Sequence, residues 1–176
     1  LENSVSELSL GIGQLAYGGG SVFLETLEGK SENPKGETPL IGAVFDAASV
    51  IHSIKIWAEV LLAVPASKLV LGCVGSIETE LMDYFFNRFK KLGLSDRLRF
   101  TSGEEGRSGW ANLLSEVDVV LDSIMAGGTI STCDALWMGV PVVTLSTAGR
   151  KWSYGPSILT AAGYEEWIAE DEHAFV

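Results

Sequence analysis

The residues best suited to chemistry stand in one short stretch, Leu121-Asp122-Ser123-Ile124-Met125-Ala126-Gly127-Gly128-Thr129-Ile130-Ser131-Thr132-Cys133-Asp134. An apolar run ends at Asp122 and a short loop follows. Gly127 and Gly128 let backbone approach a ligand without side-chain interference. Thr129, Ser131 and Thr132 surround the predicted start of a helix, where hydroxyls cap the chain or hydrogen-bond an oxyanion. The free N–H groups and dipole of such a helix favour phosphate. Asp134 lies further in, a carboxylate able to accept both hydroxyls of a ribose. The order suits a nucleoside diphosphate, with phosphate at the helix tip and sugar beside it. The same residues also make an ordinary turn and N-cap, with an acidic residue that complements the dipole. Local chemistry does not choose between the two.

Positioning such a site takes strands and helices in alternation, and the sequence from Ile41 onward has that rhythm. Strands are predicted at Ile41 to Phe45, Lys68 to Cys73, Arg97 to Thr101, Val117 to Asp122 and Pro141 to Leu145. Their continuous apolar runs suit strands covered on both faces. Helices are predicted at Val50 to Val64, Ile77 to Leu92, Gly109 to Glu116 and Ile130 to Met138, with Gly93 and Gly139 as C-terminal caps. The expected fold class is α/β, a doubly wound, mostly parallel Rossmann-like sheet with right-handed crossovers. Ligands of such sheets collect beyond the carboxyl ends of the strands. Residues 1–40 are rich in Gly, Ser and Glu and read as a linker or peripheral segment, with one short strand at Ser21 to Leu24. The run Gly18-Gly19-Gly20 lacks the following lysine and helix of a phosphate loop. The domain proper is expected over residues 41–176.

Composition narrows the function classes. At 176 residues, 47% hydrophobic and 20% charged, the chain suits one globular domain. A net charge of −11 argues against nucleic acid and anionic membrane as partners. It also means that any phosphate must be held by backbone N–H groups and a few local cations. The longest apolar stretch, Val60 to Gly75, is broken by Pro65, Ser67 and Lys68, so no membrane span is expected. The two cysteines, Cys73 and Cys133, read as buried thiols of a cytoplasmic protein. With His52 and His173 the only histidines, no metal site is expected. The opening Leu1-Glu2-Asn3 reads as a piece of something longer.

The block Asp134-Ala135-Leu136-Trp137-Met138-Gly139-Val140-Pro141-Val142-Val143-Thr144-Leu145 resembles the donor-site helix and following strand of the O-GlcNAc transferase and SPINDLY family. That family carries an Asn/Gly-Gly-x-Thr-Thr-x-x-Asp-x-Leu-Trp-x-Gly-x-Pro pattern there. The likeness extends upstream to Ile56-Trp57 and the turn Val64-Pro65-Ala66-Ser67-Lys68-Leu69, and downstream to Ser157 through Ala169. It covers the chain from about Gly42 onward. The resemblance implies a GT-B fold, of which this segment is the C-terminal, UDP-sugar-binding half. It implies an inverting, metal-independent glycosyltransferase acting on protein Ser or Thr, with a nucleotide sugar as substrate and no cofactor. Gly127, Gly128, Thr129, Ile130, Ser131 and Thr132 fall on the diphosphate loop, and Asp134 on the ribose-binding acid. Ile130 replaces a threonine, leaving its backbone N–H to serve.

The sequence departs from the family at its cations. Ala48 falls where the family has a lysine that neutralises the leaving diphosphate. Lys55 lies two turns into its helix and is expected in solvent, and His52 is expected at the surface. Arg107 stands for the lysine of a Lys-Glu-Glu-His-like element, with Trp110 in the histidine's place as core or a face for the base. Ser153 falls where the family has an arginine, with Arg150 and Lys151 as local substitutes. No catalytic residue is assigned. The family's acceptor-side domain and tetratricopeptide repeats are absent from the chain, so an acceptor protein or peptide would be reached through other domains. Three functions follow: the donor domain of a transferase, a degenerate domain that only binds UDP-sugar or serves as scaffold, or another GT-B enzyme such as a UDP-sugar epimerase. No acidic or histidine residue suited to epimerisation stands out.

Overall fold

The computed structural model describes residues 38–45, 50–73, 79–101, 106–122, 129–146 and 154–176. The expected linker over residues 1–40, with its strand candidate and glycine run, falls almost wholly outside them. Strand β1 (Leu40–Phe45) leads to helix α1 (Val50–Ala63), β2 (Lys68–Cys73) and α2 (Thr79–Lys91). There follow β3 (Leu98–Phe100), α3 (Gly106–Glu116), β4 (Val119–Leu121) and α4 (Thr129–Trp137). The chain ends with β5 (Val142–Leu145), α5 (Gly155–Ala162), β6 (Ile168–Ala169) and α6 (Glu172–Phe175).

The six strands form one sheet in the order β3-β2-β1-β4-β5-β6, and every pairing is parallel. The expected doubly wound α/β sheet is therefore present. Two-residue periodicity divides each strand between two apolar layers. On one face Ile41, Ala43, Leu69, Leu71 and Leu121 pack with α1, α2 and α6. Its centre is aromatic: Trp57 meets the ring of Phe85 edge-on at 6.1 Å, and Phe85 stacks on Phe89 at 4.6 Å. On the other face Val70, Val120 and Val142 pack with α3, α4 and α5. Here α3 comes close to the sheet because β1 and β2 present glycine to it. A Cβ on Gly42 would stand 3.0 Å from Leu113 Cδ2, and one on Gly72 would stand 2.8 Å from Trp110 Cε3.

Gly93 and Gly139 both have φ of 71° and end their turns as expected. Gly163, with φ of 77°, closes α5 in the same way. The predicted strand at Val117 starts later because the N–H of Val117 still bonds Leu113 at the end of α3. Pro141 has no N–H to give a ladder, so β5 starts at Val142, while the Pro141 carbonyl accepts from Val120. The last three elements were not anticipated as elements from periodicity: α5 and α6 are short, and β6 has two residues. Among the described residues no helix is long and apolar enough to cross a membrane.

The turn joining α1 to β2 is clamped by a residue from a distant segment. Arg97 donates through Nε to the Ser67 carbonyl at 2.7 Å and through Nη2 to the Val64 carbonyl at 2.6 Å. Nη2 also reaches Ser67 Oγ at 2.9 Å, while that hydroxyl donates to Val64 O at 2.8 Å. The guanidinium thus adds charge-assisted bonds to two carbonyls of the turn, one of which also accepts from the Ser67 N–H at 3.0 Å. Arg97→Ala is expected to lower stability by about 2 kcal/mol, read as a lower urea midpoint at unchanged slope. Arg97→Lys should recover less than half of the loss, since one ammonium cannot span the fork. An unchanged midpoint for Arg97→Ala would dismiss the clamp.

Candidate functional site

Parallel strands bring all their carboxyl ends to one edge of the sheet, and the helix that follows each strand begins there. The chain winds outward from β1 through β2 to β3, and on the other side from β4 through β5 to β6. The reversal lies between β1 and β4, which pair through Ile41–Val119 and Ala43–Leu121. Crevices at such a switch point are where doubly wound sheets bind ligands. Helix α4, which begins with Thr129, is the next element after β4, so the candidate residues belong to this edge of the sheet.

Helix α4 divides them between its two faces. Thr129 and Ile130 are exposed, Ile130 by 53%, and Ser131 is half-buried. Thr132 and Asp134 turn inward, 1% and 2% exposed. The open part of the first turn is therefore two hydroxyls, one aliphatic side chain and backbone N–H groups. The turn holds no acidic residue, so nothing of its own neutralises its positive end. Thr132 Oγ1 is buried with no hydrogen-bond partner among the described residues. Asp134 lies five residues along, about 7.5 Å down the axis from Thr129. Asp134 has an interaction within the chain. Beside it Cys133 is buried, and that burial, with the Asp134 charge, pushes the thiol's pKa up.

The structure thus places Thr129, Ile130, Ser131, Thr132 and Asp134 on one helix start at the switch point. Gly127, Gly128, Arg150 and Lys151 lie outside the described residues, as do Ala48 and Ser153. Arg107 is the second residue of α3, its side chain also outside the described set. Trp110 is core: it packs on Gly72 within the α3–α4–α5 layer. Lys55 faces solvent as expected and pairs with Glu172 at 3.2 Å and Glu59 at 3.7 Å. Those partners raise its pKa, the Glu172 hydrogen bond most. His52 is exposed.

One group at this edge was not singled out as a cluster from the sequence. Asp122, at the end of β4, is 4% exposed, and its Oδ2 accepts from Thr144 Oγ1 at 2.9 Å. Both sit under Gly155, the first residue of α5: a Cβ there would overlap Asp122 Oδ2 and stand 2.7 Å from Thr144 Oγ1. The signal available was an Asp closing one apolar strand and a Thr inside the next, followed by a Gly-Pro pair.

No family model matches the chain. Over 124 residues, 70% of this chain, it is 32% identical to the probable UDP-N-acetylglucosamine–peptide N-acetylglucosaminyltransferase SPINDLY of Arabidopsis thaliana. It is 31% identical over the same length to the SPINDLY protein of Oryza sativa subsp. japonica. The chain spans 14% and 13% of those relatives. Among solved structures, a mutant of the O-GlcNAc transferase of Thermobaculum terrenum superposes with a TM-score of 0.71 at 27% identity. That match covers 83% of this chain and 28% of the other. HepE of Anabaena, solved with UDP and glucose, shares the fold with a TM-score of 0.52 at 21% identity, over 69% of this chain and 32% of its own. The likeness to the O-GlcNAc transferase and SPINDLY proteins is thus borne out, and these relatives are glycosyltransferases by name.

The inward face of α4 makes a checkable statement about Cys133. A raised thiol pKa means less thiolate at a given pH, and the thiolate is the reactive form. In a Cys73→Ser background, Cys133 should react with a thiol reagent at about pH 8 more than roughly tenfold slower in the folded than in the urea-unfolded chain. Equal rates would show that α4 does not bury this face.

Proposed function

We propose that this chain is the donor-binding domain of a glycosyltransferase of the O-GlcNAc transferase and SPINDLY type, holding a UDP-sugar at the start of α4. The observation that carries the reading is the first turn of α4. It has no acidic residue, presents Thr129 and Ser131, and stands at the switch point of a chain that is similar to a SPINDLY protein over 70% of its length. The diphosphate would lie on its N–H groups and on the backbone at Gly127 and Gly128, and Asp134, 2% exposed in the ligand-free chain, would accept from the ribose after its side chain turns outward. Arg107, Arg150 and Lys151 are the cations that the sequence offers to the same charge.

In this reading the reaction is an inverting, metal-independent transfer to a Ser or Thr hydroxyl of a protein. The acceptor oxygen attacks C1 of the sugar from the face opposite the diphosphate, and the C1–O bond to UDP breaks as the new one forms. The acceptor's proton passes to a base outside this chain, and negative charge collects on the departing diphosphate. Donors already aimed at that charge lower the barrier, and losing one costs about 3 kcal/mol in comparable sites. Acceptor and base would come from the remainder of a longer protein, as the chain spans only 14% of its Arabidopsis relative. A second reading is favoured by Ala48, which stands where the family's lysine would be. In that reading the domain binds UDP-sugar and transfers nothing.

Calorimetric titration of UDP into this chain and into the full-length protein tests the proposal. Saturable binding is expected, weakened about tenfold or more by Asp134→Ala and by Ser131→Ala. Failure of both folded proteins to bind, or binding that ignores both substitutions, would sink it. Binding by a full-length protein that releases no UDP in the presence of UDP-sugar and acceptor would select the second reading.

A further inference from the structure

The buried trio formed by Asp122, Thr144 and Gly155 has no place in the binding scheme above, yet it joins the end of the strand that feeds α4 to the start of α5. Asp122 is the residue after β4, and Thr144 belongs to β5. The neighbouring strands are also tied by the Asp122 N–H, which donates to the Val143 carbonyl at 2.9 Å. Both side chains project to the face covered by α4 and α5, as the register Val120–Val142 requires. At that point α5 begins, and it begins with a glycine because any Cβ would overlap Asp122 Oδ2. A carboxyl group 4% exposed and in contact with a helix's first residue is costly to bury unless hydrogen-bonded. Thr144 provides one such bond.

The position of the trio gives it consequence. Asp122 immediately precedes the segment with Gly127 and Gly128 that leads to Thr129. Thr144 and Gly155 bracket the segment with Arg150 and Lys151. A single buried contact therefore ties together the points from which both candidate ligand-bearing segments depart. It also fixes the start of α5 relative to the strand that feeds α4.

We propose that Asp122 is a positioning residue for the donor site. With Thr144 and Gly155 it holds the starts of α4 and α5 in the spacing that a nucleoside diphosphate requires, without touching the ligand itself. This rests on the donor-domain reading of α4. A charge contribution would have the opposite sign: a carboxylate beneath an anionic ligand repels it, so removing the charge alone would tighten binding. Positioning predicts that binding weakens instead.

The experiment is UDP titration of the full chain carrying Thr144→Val, Thr144→Ser or Asp122→Asn, read well below each variant's Tm. Thr144→Val, which keeps the shape and loses the hydroxyl, and Asp122→Asn should each weaken UDP binding about tenfold, while Thr144→Ser stays within about twofold of the wild type. A lowered Tm with unchanged affinity in Thr144→Val would make the trio merely structural and overturn the proposal. So would tighter binding by Asp122→Asn. If Asp122→Asn does not fold, Thr144→Val decides alone. If neither this chain nor the full-length wild type binds UDP, the donor reading fails, and ligand-free amide exchange decides separately whether the trio holds the two helix starts. In Thr144→Val, exchange about tenfold faster at Thr129–Asp134 and Gly155–Leu159, with Val70 and Leu71 unchanged, upholds it. Unchanged exchange at both helix starts overturns it.

Discussion

Both faces of the sheet are sealed by apolar layers, and this constraint organises the molecule. Ladder hydrogen bonds satisfy the backbone within the sheet, and the layers exclude water from it. What remains open to chemistry is the edge where strands stop and helices start. There the first N–H groups of each helix have no partner of their own. The reversal of winding between β1 and β4 parts the helices at that edge. At this edge α4 exposes Ile130 and buries Thr132 and Asp134.

The architecture was readable because burial on two faces leaves a strong trace. Runs such as Val-Asp-Val-Val-Leu lack regular polar alternation, and each contains a strand. The limits of the elements were less readable, since they depend on individual hydrogen bonds. Val117 looks like strand but its N–H completes the last turn of α3. Elements after Leu145 carry too few residues to show a period, and β6 exists through its pairing with β5 rather than through its composition.

At the site, local sequence correctly marked the start of α4 but not how its side chains divide. A helix sends neighbours to different faces at 100° per residue, so adjacent hydroxyls at Ser131 and Thr132 have different surroundings. The trio of Asp122, Thr144 and Gly155 was invisible for another reason. Its members are separated by 22 residues in one case and join only when two strands lie side by side. The chain's charge of −11 sets a further condition. An anion approaches this surface against the overall field, and closely aimed dipoles and local cations oppose that field at short range.

The glycines at 42 and 72 act as a ruler. They remove two methyl groups from the sheet's surface, and α3 settles into the space through Leu113, Val117 and Trp110. The depth of that helix is thus encoded in side chains that are absent. Restoring one methyl at either glycine would lift α3, and with it the backbone at Arg107, by a few tenths of an ångström or force its rings aside. The helix start that carries Arg107 is therefore levelled from below, by residues that no ligand would meet.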